Sequence, residues 1–103
     1  MKNINLYRLI TGELIIAEEV IKYAESYVLK NAVKIIIIPD RVNPKNPQVG
    51  LAPWNEFSKD VEVEVFKQHV LTRTTPISEF VEQYNIMFGN IIVPPAGRIV
   101  LPS

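Results

Sequence analysis

The sequence predicts a mainly β domain: a small, strongly bent sheet of five strands, with one helix before the last strand. Three observations predict it. Two apolar runs, "INLYRLI" and "LIIAEEVI", meet at Thr11-Gly12-Glu13, the layout of a hairpin whose glycine takes positive φ at little cost. Residues 61–65 read VEVEV, the two-residue period of a strand with one wet face. Only "TTPISEFVEQYNIMFGN" carries an apolar stripe at helical spacing.

The elements follow in order. The first strand spans Ile4 to Ile10, with Tyr7 and Leu9 on one face and Ile4, Leu6 and Ile10 on the other. The second runs from Leu14 to Ile21; Leu14, Ile16 and Val20 point one way, Ile15, Ala17 and Glu19 the other. Lys22 to Ser26 is polar and reads as a tight connection. Tyr27 to Ile38 is a third strand rich in β-branched residues. Its four isoleucines, 35 to 38, are apolar on both faces and call for cover on both sides. Residues 39–53 read as a loop, from their prolines and amides, in which a few residues could extend a hairpin tip. The fourth strand begins at Val61, changes phase at Phe66, and runs on to Thr74. A bulge or sharp bend is therefore expected between Phe66 and His69.

The helix is expected to be capped by Thr75, with Pro76 as its first residue and Gly89 as a left-handed terminator. Ile77, Phe80, Val81, Tyr84 and Phe88 form its apolar stripe. Two extended pieces, Ile91 to Val93 and Ile99 to Leu101, end the chain. They either pack on the chain's own sheet or pair with a neighbour's open strand edge.

Composition narrows the functional classes. A chain of 103 residues, 48% hydrophobic and 21% charged, reads as one globular domain. Eleven basic residues balance eleven acidic ones, so no strongly basic footprint marks the whole surface, and an anion site would need local segregation of charge. With no cysteine and a single histidine, His69, a zinc site, a thiol nucleophile or a catalytic triad is not expected. Met1 to Arg8 has no apolar core of a signal peptide, and the longest aliphatic run, Ile35 to Ile38, is far too short to span a membrane.

The remaining constellations are weak as chemistry. Glu18 and Glu19 are adjacent in a strand and face opposite ways, so they cannot readily share a proton or a metal. Glu62 and Glu64 share a face and read as a solvated, like-charged strand surface that discourages stray pairing. The four glycines are scattered, so no phosphate-cradling loop is present. No cofactor and no catalysis are expected. Arg41 and Lys45 near Trp54 could bind a single strand by charge and stacking; the alternative is a solvated loop with the tryptophan tucked into the end of the barrel.

The stretch "LITGELIIAEEVIKYAESYVLKNAVKI", Leu9 to Ile35, resembles the first signature of the Sm-like (Sm/LSm) proteins. Gly12 matches the motif glycine, and Ala17 stands at the small residue that allows strong bending. Val28-Leu29 and Ala32-Val33 match the aliphatic positions of the third strand. A "GLAPW" segment, the VEVEV strand, a proline-started helix with "QY" and an aliphatic-proline end are similar to the small Sm-like proteins of marine cyanophage and ocean metagenomes. Lys22 and Ser26 stand where the family has an acidic residue and a base-reading asparagine. "MFGNII" resembles the second signature with Phe88 in place of its arginine.

The resemblance implies an Sm-like (SH3-like) open barrel. It also implies a homo-oligomeric ring of roughly five to seven subunits, closed by pairing the fourth strand with the last strand of the next subunit. Its ligand would be single-stranded RNA or DNA, RNA foremost, with Lys22, Tyr23, Ser26 and Tyr27 near the pore and Arg73 and Asn90 beside them. No membrane is involved, and the implied setting is the cytoplasm of a phage-infected bacterial host. The alternative is a phage structural or adaptor protein that uses the same barrel for protein contacts only.

Overall fold

The computed structural model describes residues 3–39, 42, 45, 47–89 and 98–100, the last three as backbone. Among them are seven strands in one antiparallel sheet and one α-helix. The strands are β1 (Ile4–Leu9), β2 (Leu14–Lys22), β3 (Ser26–Ile38), β4 (Gln48–Pro53), β5 (Glu62–Phe66), β6 (Val70–Thr74) and β7 (Arg98–Val100); α1 (Ser78–Phe88) lies between β6 and β7. The mainly β class and the single helix before the last strand agree with the sequence, but the strand count does not.

Two causes raise the count from five to seven. First, the predicted fourth strand is two, β5 and β6, joined by a single turn of 3-10 helix at Lys67–His69. That turn is the bend predicted between Phe66 and His69. Second, β4 lies inside the stretch read as loop. Its signal is short: only Val49 and Leu51 alternate inward, amid prolines and amides, and they are held there by packing against α1.

Strand β3 organises the molecule. Its first half pairs with β5, from Ser26↔Phe66 to Lys30↔Glu62, and its second half with β4, from Val33↔Pro53 to Ile38↔Gln48. The switch occurs at Asn31, a non-glycine residue at φ 54°, a left-handed conformation that asparagine tolerates better than β-branched residues do. There the Tyr84 hydroxyl of α1 lies 3.0 Å from both the Lys30 and the Asn31 carbonyl oxygens and donates to them. Burial pushes this phenol up to about 12.

The sheet also curls back on itself. β1 pairs with β2 and β2 with β3, while β5 pairs with β3 and β6 with β1. Because one 3-10 turn joins β5 to β6, the path of pairing returns to its start. Gly12, at φ +91°, makes the β1–β2 turn. Register shifts in β2 near Ala17 and Val20 supply further bending.

Each side of the sheet has its own core. Tyr7, Leu9, Ile15, Ala17, Tyr27, Leu29 and Val65 fill the inside of the curl, against partly buried Trp54. Ile16, Val33 and Val49 pack on the other side under Phe80 and Tyr84 of α1. The opposed faces predicted for β1 and β2 hold for Tyr7, Leu9, Ile15 and Ala17 on one side and Ile4, Leu6 and Ile16 on the other, whereas Ile10 and Val20 are exposed. The isoleucine run is covered less than predicted: Ile35 packs near α1, whereas Ile37 is 69% exposed.

The helix ends also differ from expectation. It begins at Ser78 rather than Pro76, with Ile77 extended before it and no side-chain cap, so Thr75 does not cap it. The Ile77 carbonyl accepts from the Phe80 and Val81 amides instead. Gly89 is extended (φ −99°, ψ 173°), not left-handed, and its amide donates to Asn85. Finally, β7 pairs with β4 of its own chain, Val49 opposite Ile99, which is the first of the two arrangements left open for the chain's end. Ile91 to Val93 lie outside the described residues.

Candidate nucleic-acid interface

The predicted site residues gather where β2 turns into β3. Lys22 ends β2, opposite Tyr27 in the register. Tyr23 follows in the turn, half exposed, its amide donating to the Ser26 carbonyl. The 3-10 turn closes on the same place, with the Lys67 amide donating to the Glu25 carbonyl. Strand pairing thus brings residues 22–27 together with Lys67 and Arg73, although forty or more positions separate them in sequence.

These residues divide into an outer and an inner set. Lys22 and Tyr23 are exposed. Ser26 is 2% exposed, and its hydroxyl donates to Glu64 Oε2 at 2.7 Å. Tyr27 belongs to the core inside the curl, its ring tilted against Tyr7 with centroids 5.6 Å apart. Arg73 is committed to Glu19 through two bonds, Nε to Oε1 at 2.8 Å and Nη2 to Oε2 at 2.9 Å. Asn90 lies outside the described residues, as does Arg41; Lys45 lies in an exposed turn.

Glu19 is the centre of the inner set. Its side chain is 5% exposed, and an isolated charge so placed would be strongly unfavourable. Four donors offset this. Arg73 gives two bonds, Tyr7 donates its hydroxyl to Oε1 at 3.0 Å, and Asn3 donates Nδ2 to Oε2 at 3.2 Å. Asn5 in turn donates to Asn3. Burial alone pushes the Glu19 carboxyl up. The bonds from Arg73 and Tyr7, with the charges of Arg73 and Lys22, outweigh it and hold the carboxyl below the usual range. Burial and the adjacent carboxylate push the Tyr7 phenol well above its usual range, so Tyr7 acts as a donor.

The result is a cluster of basic side chains about Tyr27 in a chain of zero net charge. The Lys67 ammonium sits 5.2 Å from the Tyr27 ring centroid and the Arg73 guanidinium 5.7 Å from it, both within cation–π range. Lys22 lies across the strand pair from Tyr27, Glu19 is paired with Arg73, and Tyr23 on the turn borders a hollow that Glu25, Glu62 and Glu64 also line. Such a patch can neutralise phosphates, and exposed Tyr23 beside it can stack on a base.

Sequence reasoning missed Glu19, Tyr7 and Lys67. A signal for Glu19 was present, because a carboxylate at an inward position after Ile15 and Ala17 needs a buried partner. Lys67 lies in the predicted bend, but nothing local says what the bend closes on. Glu18 and Glu19 do face apart as predicted: Glu18 acts on Tyr84 under the helix, and Glu19 binds Arg73 within the curl. Among the described residues no group of three or more His, Asp or Glu side chains is placed to hold a metal, and no helix is long and apolar enough to cross a membrane. No protein-family model matches the chain, and no curated protein matches it.

Proposed function

We propose that the chain is a non-catalytic Sm-like subunit that assembles into a homo-oligomeric ring and binds single-stranded nucleic acid, RNA foremost, at the β2–β3 turn. The observation that carries this reading is the placement of Lys67 and Arg73 over the Tyr27 ring, with Lys22 across the strand pair. Lys22 and Lys67 neutralise phosphates and Tyr23 stacks on a base, a contact typically contributing about 1–3 kcal/mol. Ser26 and Tyr27 hold that surface in place from behind, and Arg73, partly in water, is fixed to Glu19.

The path of the sheet supports the ring. Among the described residues β5 pairs only with β3, and β6 only with β1. Each leaves an outer edge, and both edges belong to one bent strand. An open strand edge is a template for another strand. Pairing β5 of one subunit with β6 of the next repeats in one direction and closes into a ring. The closure expected through the last strand is a second route, since β7 pairs with β4 along one edge and ends the sheet.

The reading is tested by native mass measurement with and without a short single-stranded RNA. It requires a multiple of the subunit mass that takes up RNA. Leu71 on β6 is 61% exposed, and Leu71→Asp should yield monomers with weaker RNA uptake; a wild-type monomer contradicts the ring.

A second reading is an adaptor or structural protein, of the phage type, that uses the same sheet for protein contacts only. It is favoured by the internal commitment of Ser26, Tyr27 and Arg73. An oligomer that takes up no RNA at low salt would select it.

A further inference from the structure

At the end of the curl that holds the Gly12 turn lies a hollow of about 340 Å³, a size suited to a small-molecule head group. Three aromatic side chains line it: Trp54, Phe66 and His69. The Phe66 and His69 rings stand at 89° with centroids 6.3 Å apart, so they form a corner, and Trp54 contributes a third ring. Glu13 and Glu64 also line the hollow, and none of the lining residues is lysine or arginine. Arg8, beside the turn, directs its guanidinium to the Gly12 carbonyl. Trp54 also packs against the core inside the curl and Glu64 accepts from Ser26, but Phe66 is half exposed, which leaves a large aromatic side chain in water.

We propose that this hollow binds an organic ammonium ion, its charge resting against the aromatic side chains and complemented by the two glutamates. The negative faces of aromatic rings attract a cation, and an alkylated ammonium is weakly enough hydrated to leave water for them. The two carboxylates exclude phosphates and other anions, so the hollow is not an extension of the nucleic-acid surface. The head group could belong to a free small cation or to an alkylated lysine side chain of a partner; both present the same chemistry.

The test uses the chain's only tryptophan, Trp54, as its reporter. Intrinsic fluorescence is followed during titration with choline, with dimethylbutanol (the neutral carbon isostere of choline), and with sodium chloride at matched ionic strength. The proposal requires a saturable change with choline, at least about threefold tighter than any response to the isostere. Phe66→Leu keeps an apolar side chain but loses the ring, and should weaken choline at least about threefold with an unchanged far-ultraviolet spectrum. A short peptide carrying trimethyllysine gives the second arm, and tighter saturation than choline assigns the head group to a protein partner. No saturable change with either cation, or equal responses to choline and its isostere, overturns the proposal. These outcomes are independent of RNA binding and of subunit number.

Discussion

The outer and inner residues of the β2–β3 corner differ in what surrounds them, and so in what they can do. Lys22 and Tyr23 end one strand and begin a turn, and water reaches both. Ser26, Tyr27 and Arg73 lie a few ångströms away but are fixed by Glu64, Tyr7 and Glu19. In a strand, successive side chains alternate between faces. A contiguous stretch such as residues 22–27 therefore cannot present all its side chains to one ligand. Contact belongs to the outer members and positioning to the inner ones.

Substitutions should divide along the same line. The largest effect is expected from Tyr27→Ala, which empties the centre of the curl. A loss of about 3–5 kcal/mol on denaturant unfolding is expected, and a loss near zero would place Tyr27 with the outer residues. Arg73→Met comes next. It leaves the Glu19 carboxylate buried without its cation, a severe loss for a fully buried pair. Arg73 keeps about a third of its side chain in water, so screening reduces the expected cost to about 2–3 kcal/mol.

The same pair gives a dependence on pH. The folded state holds the Glu19 carboxyl below its usual value, so it binds fewer protons there than the unfolded chain does. The stabilisation is present above the unfolded value, about 4.3, and is lost as pH falls through the lower folded value. Melting temperature should drop on that acid limb, and Glu19→Gln should flatten the drop while lowering stability at neutral pH. An identical acid limb in the variant would assign the effect to other carboxylates.

The smallest stability effect belongs to the outer set. Lys22→Ala with Tyr23→Ala should change unfolding free energy by no more than about 0.5 kcal/mol per site, yet weaken RNA by about tenfold or more. Equal loss of stability and affinity would erase the distinction between the two sets.

Much of this was legible in the sequence where local pattern decides. The VEVEV alternation, the Gly12 turn and the helical stripe need only neighbouring residues, and each marks its element, although Val61 and Ile77 fall just outside β5 and α1. The phase change at Phe66 correctly marked a bend. Legibility failed where distant packing decides. β4 forms because Val49 and Leu51 meet α1, a contact no local window contains. Ile77 replaces Thr75 at the helix start because its carbonyl takes the first amides. The candidate site was half legible: the polar turn pointed to Lys22 and Tyr23, but the partners of Ser26 and Arg73 lie 38 and 54 positions away.

The central claim is that the outer surface around Tyr27 binds single-stranded RNA. Fluorescence anisotropy of a short labelled single-stranded RNA tests it most directly, at low and moderate salt, with the wild type and the Lys22→Ala, Tyr23→Ala variant. Saturable wild-type binding that weakens as salt rises is expected, because phosphate contacts release counterions, with a marked loss in the folded variant. Wild-type protein that leaves the anisotropy unchanged at low salt, or a variant that binds as tightly as wild type, would contradict it.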